Sequence, residues 1–542
     1  MPSGKELLRD HNYRELWQKY CGFLDLSIDE FMSIQRSLLL EQLELLNRCE
    51  LGRHIMYGAT PASVDEFRRM VPLTTYEDYV PYLSEQREDT LPAKPLLWQR
   101  TSGISGGRAF KWGPITERMY QAMRPMTFAV LILATCKRRY DISFGEGESI
   151  LYALAPPPFA TGCWGRAIAE ELPVTFQPPL AEAEEMSFEE RLAQGMRRGL
   201  TEGIDLVFGM PSVLVALGER VAQQEHERSN LLDLLKRPRA LLRIIKAIVK
   251  SRIARRPMRP KDLWSLRGVA TGGTDASLYK SRIKELWGKE PLDIYGSTEA
   301  MMIATQTWDH KGMTFVPNFN FLEFIPESER AKEKLTPGYQ PTTLLLDEVK
   351  QGQTYELVIT NLLGGAFVRY RLGDIVTITG CRNDKLDIDI PQMAFYSRTG
   401  SLIDLAGFTR LTESTIGHAI ETAGIPVHDW VARKEIQNQE ATLHLYIEPL
   451  TKPCSSEHDM AEAVHQQLKQ LDEPYSDVEE MLNRRPITVT VLPCGSFSSY
   501  TSRQREAGAD LAHLRPPHMN PSDVVIAALL RQVPEETRVT VT

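Results

Sequence analysis

The pattern of apolar and polar residues predicts a large α/β domain over the first three quarters of the chain. Between about residues 95 and 375, short apolar runs alternate with stretches of helical periodicity; the runs are ILYALAP, IDLVFGM, LRGVATGG, LDIYGSTE and YELVITN. This alternation is typical of buried strands covered by helices. Ahead of it, residues 28–52 carry apolar side chains at helical spacing, which predicts a helix that ends at Gly52.

The last part of the chain has a different pattern. Residues 430–449 predict two strands joined by a polar turn, residues 457–471 a helix and residues 487–493 a further strand. This ββαβ order indicates a compact α+β domain. We place the boundary within SRTGSLIDLAG, which gives a large domain of residues 1–402 and a small domain of residues 403–542.

Composition and charge exclude several classes of protein. Hydrophobic residues make up 42% and charged residues 25% of the 542 residues, which is unlike a disordered or fibrous chain. The net charge of −8 provides no overall basic field for nucleic acid. Seven scattered cysteines without zinc or redox spacing indicate a reducing compartment. The N-terminus is charged where a signal peptide would be apolar, and the longest apolar stretch, residues 128–134, is too short to cross a membrane. We therefore expect a soluble cytoplasmic protein without a transmembrane segment, and we expect a monomer.

Two strings carry residue types suited to phosphate and adenine. TSGISGG, residues 101–107, has N–H and hydroxyl groups that can surround a polyphosphate, and Lys111 provides a nearby cation. VATGGTD, residues 269–275, has glycines that allow an adenine ring to lie against the main chain. Taken singly, the TSGISGG string is equally compatible with an ordinary flexible loop.

Two further strings offer carboxylates next to hydroxyl or aromatic groups. IYGSTEA, residues 294–300, provides a tyrosine that can stack on a base and Glu299, whose oxygens suit a hard cation. RYRLGD, residues 369–374, ends in an aspartate that can accept both hydroxyls of a ribose. The alternatives are a structural carboxylate in an ion pair and a turn aspartate with a local backbone bond.

Together and in this order, the four strings resemble the phosphate loop, adenine strip, aromatic-Gly-x-x-Glu and Tyr-Arg-x-Gly-Asp motifs of the adenylate-forming superfamily. That superfamily contains luciferase, acyl-CoA synthetases and peptide-synthetase adenylation domains. The flanking strings are similar to the auxin-responsive, or Gretchen Hagen, family of acyl acid amido synthetases; they are VPLTTYEDYVPYL, FLEFIP, ARKE, HLYIEP, LPCGSF and RPPHM. The resemblance covers roughly residues 28 to 520 and implies a large N-terminal α/β domain with a small mobile C-terminal domain.

The resemblance implies an ATP-dependent ligase that uses Mg²⁺. A small, mainly apolar carboxylic acid would first form an acyl-adenylate, and an amino acid or related amine would then displace AMP to give an amide. The catalytic residues it implies are Glu299, which also holds the metal, Arg398 and Arg515. The nucleotide-binding residues it implies are Thr101, Ser102, Gly103, Ser105, Gly106, Gly272, Gly273, Thr274, Tyr295, Gly296, Ser297, Thr298 and Asp374.

Two departures from the family pattern keep other functions open. Ile104 stands where the family has threonine, and Arg515 stands where it has lysine, so Arg503 could serve instead as the cation. These departures motivate the hypothesis of a non-catalytic protein that binds nucleotide or acyl acid. A ligase that transfers the acyl group to coenzyme A or to a carrier protein is the other alternative, although the ARKE and LPCGSF strings favour amide formation.

The acyl group is expected to meet apolar residues between the phosphate loop and the adenine strip. The candidates are Phe208, Met210 and Leu214, although apolar stripes of this kind are also typical of a core. His418 and His513 are possible bases for the attacking amine, and a surface position is the common alternative for both.

Residues 236–261 contain eleven Lys and Arg residues and no acid. Their apolar residues share what would be one face of a helix, which predicts a surface helix with a solvated basic side. The alternative is a docking surface for an acidic partner, such as an acyl carrier protein, or for an anionic membrane.

Overall fold

The computed structural model describes most of the chain. The described residues are 4–101, 111–143, 145, 147–223, 238–273, 276–336, 338–398, 402–405, 409–437, 440–450, 456–482, 485–506 and 516–531. Contacts divide the chain into a large unit, within residues 1–101 and 111–399, and a small unit, within residues 400–542. The boundary predicted after residue 402 lies beside this division.

The described helices of the large unit surround a central sheet. They are α1 (Gly4–Arg9), α2 (Tyr13–Cys21), α3 (Ile28–Arg48), α4 (Glu50–Ile55), α5 (Val64–Met70), α6 (Val80–Leu83), α7 (Glu117–Thr135), α8 (Ala160–Glu171), α9 (Leu180–Ala183), α10 (Phe188–Glu202), α11 (Pro211–Gln223), α12 (Pro238–Ile253), α13 (Pro260–Leu263), α14 (Ala276–Trp287) and α15 (Glu327–Leu335). Short 3₁₀ helices cover Gly22–Asp25, Tyr76–Tyr79 and Glu88–Thr90.

The described strands of the large unit form a hairpin and an eleven-stranded sheet. They are β1 (Pro95–Arg100), β2 (Trp112–Thr116), β3 (Ser149–Ala153), β4 (Thr175–Gln177), β5 (Leu206–Gly209), β6 (Gly268–Gly272), β7 (Leu292–Ser297), β8 (Met301–Thr305), β9 (Met313–Phe315), β10 (Asn320–Pro326), β11 (Thr354–Asn361), β12 (Tyr370–Gly380) and β13 (Gln392–Arg398). The hairpin is β1-β2, and the sheet order is β10-β11-β12-β13-β9-β8-β7-β6-β5-β3-β4.

One half of the large sheet is parallel and the other half is antiparallel. Strands β4, β3, β5, β6 and β7 pair in parallel, with helices in the connections between them, and the remaining pairs are antiparallel. The five apolar runs predicted as buried strands correspond to β3, β5, β6, β7 and β11, and β3 and β5 are buried at every residue. The predicted α/β class is therefore confirmed, because strands covered on both faces need near-continuous apolar sequence.

The predicted N-terminal helix ends earlier than its sequence suggests. It begins at a capping box formed by Ser27 and Glu30 and ends at Arg48, after which Cys49 is extended and caps α4. Gly52 lies inside α4, so its prediction as a helix stop was wrong. A Cβ on Gly52 would lie 2.1 Å from the carbonyl oxygen of Leu46. Glycine is needed there because the two helices approach each other closely, not because a helix ends.

The small unit contains a three-stranded sheet and a two-stranded hairpin. Its described elements are β14 (Leu402–Leu405), β15 (Thr409–Thr412), α16 (Glu413–Thr422), β16 (Val427–Gln437), β17 (Glu440–Pro449), α17 (Glu457–Leu471), α18 (Glu473–Leu482), β18 (Ile487–Val491), α19 (Ser496–Glu506) and α20 (Asp523–Leu529). Strand β17 pairs antiparallel with β16 and parallel with β18. The predicted ββαβ order is confirmed, with α18 as an additional helix before the third strand.

The longest apolar stretch of the sequence, residues 128–134, lies within α7 and packs in the core of the large unit. Over the part of the chain that the structure describes, no helix has both the length and the apolar character needed to cross a membrane.

Candidate functional site

The β1-β2 hairpin joins the first residue of the string predicted to bind phosphate to Lys111, the cation noted beside that string. The amide of Thr101 donates to the carbonyl of Lys111 at 3.0 Å, and the amide of Lys111 donates to Thr101 Oγ1 at 3.1 Å. Thr101 is buried. The remaining predicted phosphate-loop residues lie outside the described part of the chain; they are Ser102, Gly103, Ser105 and Gly106.

The same hairpin lies against the turn that follows β7. The side-chain amide of Gln99 donates to the carbonyl of Thr298 at 2.6 Å. A Cβ on Gly113 would lie 2.9 Å from that carbonyl oxygen, so the approach requires a residue without a side chain. Ser297 Oγ accepts from the amide of Ala300 at 3.1 Å, which stabilises the turn and leaves the hydroxyl proton available as a donor.

Strand β7 can enter this turn only because Gly296 lacks a side chain. A Cβ at this position would lie 1.9 Å from the carbonyl oxygen of Met301, and the strand is irregular between Tyr295 and Gly296. A second contact fixes the backbone of this turn, because Asn361 Nδ2 donates to the carbonyl of Glu299 at 2.9 Å. Together these contacts position the Glu299 side chain.

Glu299 is a buried carboxylate with a cation and a phenol beside it. Its side chain is 5% exposed, and its Oε1 accepts from Tyr370 Oη at 3.2 Å and lies 3.7 Å from Lys111 Nζ. Lys111 Nζ also donates to Tyr370 Oη at 3.1 Å. The fold thus connects the phosphate-loop hairpin, the aromatic-Gly-x-x-Glu string and the Tyr-Arg-x-Gly-Asp string through three side chains. Sequence reasoning noted Lys111 only as a nearby cation and missed Tyr370, although the motif contains it.

Tyr295 and Asp374 form a buried pair next to this cluster. Tyr295 Oη donates to Asp374 Oδ2 at 2.6 Å, and the two residues are 4% and 1% exposed. A short hydrogen bond to a carboxylate is among the stronger ones in proteins, so Tyr295 orients Asp374. The Cα of Asp374 pairs with that of Arg398 across β12 and β13, and the structure describes only the backbone of Arg398. Arg515 lies beyond the described residues.

The predicted adenine strip follows β6. Gly272 ends the strand, and a Cβ on it would lie 3.3 Å from Ile294 Cγ1 of the neighbouring β7. Gly273 has a φ of +138°, and a Cβ on it would lie 3.3 Å from Met210 Cε. Thr274 lies outside the described residues. The strip therefore contacts the start of α11, where one of the predicted acyl residues is located.

The other two predicted acyl residues lie in the packed interior. Phe208, on β5, is 4% exposed, and its ring centroid lies 6.2 Å from that of Trp164. Leu214 is fully buried in α11, and its carbonyl accepts from the indole N–H of Trp287 at 2.8 Å. Of the three, Met210 is the one that the structure brings next to a predicted nucleotide-binding residue.

A buried ion pair supports the start of β12. Arg369 Nη2 donates to Glu323 Oε1 at 2.8 Å, and Arg369 Nε donates to Glu323 Oε2 at 3.1 Å. Glu323 is 0% and Arg369 4% exposed, and Thr343 Oγ1 donates to the same carboxylate at 2.6 Å. Glu323 belongs to FLEFIP and Arg369 to RYRLGD, so these two strings of the sequence meet here.

The VPLTTYEDYVPYL string contributes a second support to the same place. Tyr79 Oη accepts from the amide of Val368 at 2.8 Å and donates to its carbonyl at 3.0 Å, while Thr74 Oγ1 donates to that carbonyl at 2.7 Å. Burial raises the pKa of Tyr79, so the phenol stays protonated. Arg369 itself has a φ of +45°, a strained conformation for a non-glycine residue. The flanking strings are therefore scaffold residues that hold Tyr370 and Asp374 in place.

In the small unit, the ARKE and HLYIEP strings form one polar cluster. Glu435 Oε2 bonds His444 Nδ1 at 2.7 Å, and Glu435 Oε1 accepts from Tyr446 Oη at 2.7 Å and Arg433 Nε at 2.6 Å. Burial alone would raise the pKa of Glu435, but these bonds, led by that of His444, lower it to about 2. His444 also bonds Thr490 Oγ1 at 2.7 Å.

The string that follows Arg515 is anchored to the same sheet. His518 bonds Asp429 at 2.8 Å and Glu413 at 2.7 Å, and the bond to Asp429 contributes most to raising the pKa of its imidazole. Its carbonyl accepts from the amide of Ala432 on β16 at 2.6 Å.

Three further residues of the small unit were predicted as possible bases or as an alternative cation. His418 is 59% exposed on α16, and His513 lies outside the described residues. Arg503 donates to the carbonyls of Ser499 at 3.2 Å and Ala528 at 2.8 Å, which engages its guanidinium with main chain in α19 and α20.

Two segments of the chain match models of one family. Residues 22–161 match the GH3 family N-terminal domain, and residues 313–398 match the GH3 family central domain. Together these segments cover less than half of the chain, which is similar to the GH3 family over them. The resemblance drawn from the flanking strings is therefore confirmed, and the matched segments contain the scaffold strings and the Tyr370–Asp374 strand described above.

Curated proteins that match parts of this chain are named as amido synthetases. A jasmonoyl-L-amino acid synthetase of Nicotiana attenuata is 32% identical over 29% of this chain and 26% of its own length. An indole-3-acetic acid-amido synthetase of Arabidopsis thaliana is 32% identical over 20% and 19%, and a jasmonoyl-L-amino acid synthetase of Oryza sativa subsp. japonica is 25% identical over 48% and 47%. The chain thus spans from about a fifth to about half of the length of these curated relatives.

Solved structures confirm the fold. An acyl acid amido synthetase in complex with 2,4-DB aligns with a TM-score of 0.51 and 17% identity over 94% of both chains. A 2-hydroxyisobutyryl-CoA ligase aligns with a TM-score of 0.54 and 16% identity over 83% of this chain and 86% of that one. Both are adenylate-forming enzymes, so the predicted adenylate-forming-enzyme-like α/β fold is confirmed.

Proposed function

We propose that this protein is an ATP-dependent ligase of the GH3 kind, which joins a small, mainly apolar carboxylic acid to an amino acid or a related amine. The observation that carries the proposal is the convergence of separate strings on one place. Lys111, Tyr370 and Glu299 are linked by direct contacts, and Asp374, on the same strand as Tyr370, is bonded to Tyr295. The segments that match GH3 family models and the activities for which the relatives are named support the same chemistry.

The residues present fit a magnesium nucleotide. Mg²⁺ binds through one or two carboxylates together with substrate phosphates, and Glu299 is a buried carboxylate beside the hairpin that holds the phosphate-loop string. When bound, the ion would neutralise charge that develops on the phosphates. Lys111 is placed to exchange its contact with Glu299 for one with a phosphate oxygen, and the buried Tyr370 hydroxyl would then keep Glu299 oriented.

In the first half-reaction, a carboxylate oxygen of the acid bonds to the α-phosphorus of ATP and pyrophosphate leaves. Tyr295 stacks on the adenine through its ring, and its hydroxyl holds Asp374 so that the carboxylate accepts the ribose hydroxyls. Gly272 and Gly273 keep the space beside the ring open. Arg398 and Arg515 supply positive charge to the nucleotide, as the family motifs imply, and Arg515 retains the charge of the family lysine.

In the second half-reaction, the nitrogen of the amine bonds to the acyl carbon, AMP leaves and the nitrogen loses a proton. An apolar acid fits this end of the sheet because the methyl group of Met210 lies beside Gly273. Relatives named for jasmonoyl, indole-3-acetic acid and 4-substituted benzoate substrates support an acid with an apolar body.

The test is a pyrophosphate-release screen of carboxylic acids with ATP, with and without each of the twenty amino acids, followed by mass analysis of products. We expect release that depends on both ATP and acid, and amide only when the amine is added. Thioester with coenzyme A and no amide would instead establish a thioester-forming ligase. Retained ATP binding without pyrophosphate exchange over the whole acid panel would establish a binding protein.

Two buried acids near opposite ends of β7 provide a matched pair of variants. Glu299→Gln keeps an acceptor for Tyr370 but removes the metal-binding charge, so we expect the rate of the first half-reaction to fall about 100-fold to 1000-fold. Asp293→Asn removes a buried acid that bonds Thr271 at the start of the same strand and should leave the rate unchanged. Equal rates in the two variants would remove Glu299 from the mechanism.

A further inference from the structure

Helix α12 exposes large aliphatic side chains on its outer side. Leu242 is 54%, Ile245 49%, Val249 51% and Ile253 79% exposed. They recur at intervals of three and four residues, so they form one stripe about 17 Å long. We call these four residues the α12 stripe. An exposed aliphatic stripe of this length is unusual unless something binds to it.

The opposite side of α12 is fixed to the large unit. Its buried residues are the small Ala240, Ala247 and Ser251, which allow α12 to approach α10 and α13 closely. Arg243 donates to the carbonyls of Gly199 at 3.2 Å and Leu200 at 2.7 Å. The apolar residues of this segment were expected to share one face of the helix; instead they divide, with Leu241, Ile244 and Ile248 partly buried and the four residues of the α12 stripe exposed.

Basic residues border the α12 stripe on both sides. At about 100° per residue, Lys246 and Lys250 follow the stripe on one side and Arg252 borders it on the other. All three are exposed, and the surrounding residues 236–261 contain eleven Lys and Arg residues without a single acid. The whole chain carries a net charge of −8, so this segment is a local cationic surface on an otherwise acidic protein.

We propose that α12 docks the protein on an anionic phospholipid surface. The α12 stripe would enter the boundary between headgroups and acyl chains, while the flanking cations contact lipid phosphates and their aliphatic stems lie along the same boundary. The α12 stripe is exposed over its whole length on a helix packed against the large unit, which suits a flat partner. Because residues 236–261 are cationic, the surface that α12 contacts must carry negative charge.

Composition favours lipid over a protein partner. Protein interfaces are enriched in aromatic residues and Met and depleted in Lys. The α12 stripe contains no aromatic residue or Met, and two of its three bordering cations are lysines. The proposal does not depend on the enzymatic activity proposed above.

The experiment measures binding of the full chain to vesicles of phosphatidylcholine alone and of phosphatidylcholine with 30% phosphatidylserine. We expect binding only to the anionic vesicles and its loss in high salt. Each basic residue near such a surface contributes about fivefold in affinity, so Lys246→Gln, Lys250→Gln and Arg252→Gln together should weaken binding about 100-fold. Ile245→Ser with Val249→Ser should weaken it at least tenfold with unchanged charge.

Matched controls are exposed aliphatic residues elsewhere, Leu335→Ser on α15 and Val524→Ser on α20, which are 75% and 79% exposed. They should bind vesicles as the unmodified chain does. Equal binding to neutral and anionic vesicles, or unchanged binding of the Ile245/Val249 variant, would overturn the proposal. Two other results would also overturn it if the chain binds neither kind of vesicle. One is binding of an acyl carrier protein, and the other is dimer formation that the Ile245/Val249 variant abolishes.

Discussion

The hydroxyl of Tyr295 allows two roles of one residue to be separated. Tyr295→Phe keeps the ring that would stack on adenine and removes the 2.6 Å hydrogen bond to Asp374. Both residues are at most 4% exposed, so water has little access to replace the lost donor. A hydrogen bond to a charged group contributes about 1.5–3 kcal/mol, and we expect the variant to lose about 2 kcal/mol of stability.

The same change should weaken ATP binding. Asp374 would lose the donor that orients it, so we expect the KM for ATP to rise about tenfold, equivalent to about 1.4 kcal/mol, with a smaller change in kcat. The assays are pyrophosphate release as a function of ATP concentration and the thermal unfolding midpoint. For a unit of roughly 400 residues, about 2 kcal/mol corresponds to a decrease of about 2 °C in the midpoint.

Tyr355→Phe is the matched control. Tyr355 is 3% exposed and accepts a neutral hydrogen bond from the amide of Lys350 at 3.0 Å. We expect about 1 kcal/mol of destabilisation and an unchanged KM for ATP. A double-mutant cycle with Asp374→Asn should give a coupling energy above about 1 kcal/mol. The reasoning is refuted if Tyr295→Phe keeps the KM and the unfolding midpoint of the unmodified chain, or if the cycle shows no coupling.

Three further changes test the scaffold. Burial raises the pKa of Asp293 to about 6, so the folded chain holds this proton at pH values where the unfolded chain has lost it. The free energy of unfolding should therefore fall as the pH rises from about 4 to about 6. Asp293→Asn should lack this fall of about 3 kcal/mol, measured by unfolding across that pH range; identical pH profiles would contradict the assignment. Gly52→Ala should destabilise the large unit by about 2 kcal/mol because its Cβ meets a carbonyl at 2.1 Å, whereas Gly417→Ala, with 3.5 Å to its nearest atom, should be neutral or stabilising in the same thermal assay. Glu323→Gln leaves the buried Arg369 without its counter-ion and should cost about 3–5 kcal/mol, and a loss below about 1 kcal/mol would show that the pair is not needed.

The strand runs and the nucleotide-binding strings were readable from the sequence because each is encoded within a few adjacent residues. Strands β3, β5, β6 and β7 are covered on both faces, so they need uninterrupted apolar sequence that is visible without a structure. The order of elements in the small unit was also predicted, because alternation and helical periodicity are local patterns. The family strings predicted Tyr295, Glu299 and Asp374 as members of one site; in the structure Tyr295 bonds Asp374, and Glu299 bonds Tyr370 of the same strand as Asp374.

Contacts between distant positions could not be predicted in the same way. Lys111 meets Tyr370 across 259 residues, and Arg369 meets Glu323 across 46. No local pattern contains these separations, because they depend on which strands become neighbours in the sheet. The outward orientation of the α12 stripe has the same origin: periodicity predicts that one side of a helix is apolar, but only packing decides which side is buried.

The sequence by itself determined the α/β class, the strand-forming runs and the chemistry that the chain offers to a nucleotide, since these depend on residue types and spacings over short distances. The tertiary structure alone decided that Gly52 is required by a close helix approach, that Tyr370 links Lys111 to Glu299, and that α12 presents the four residues of its stripe to solvent. Those outcomes depend on the space that remains when distant segments pack together, and that space is a property of the whole fold.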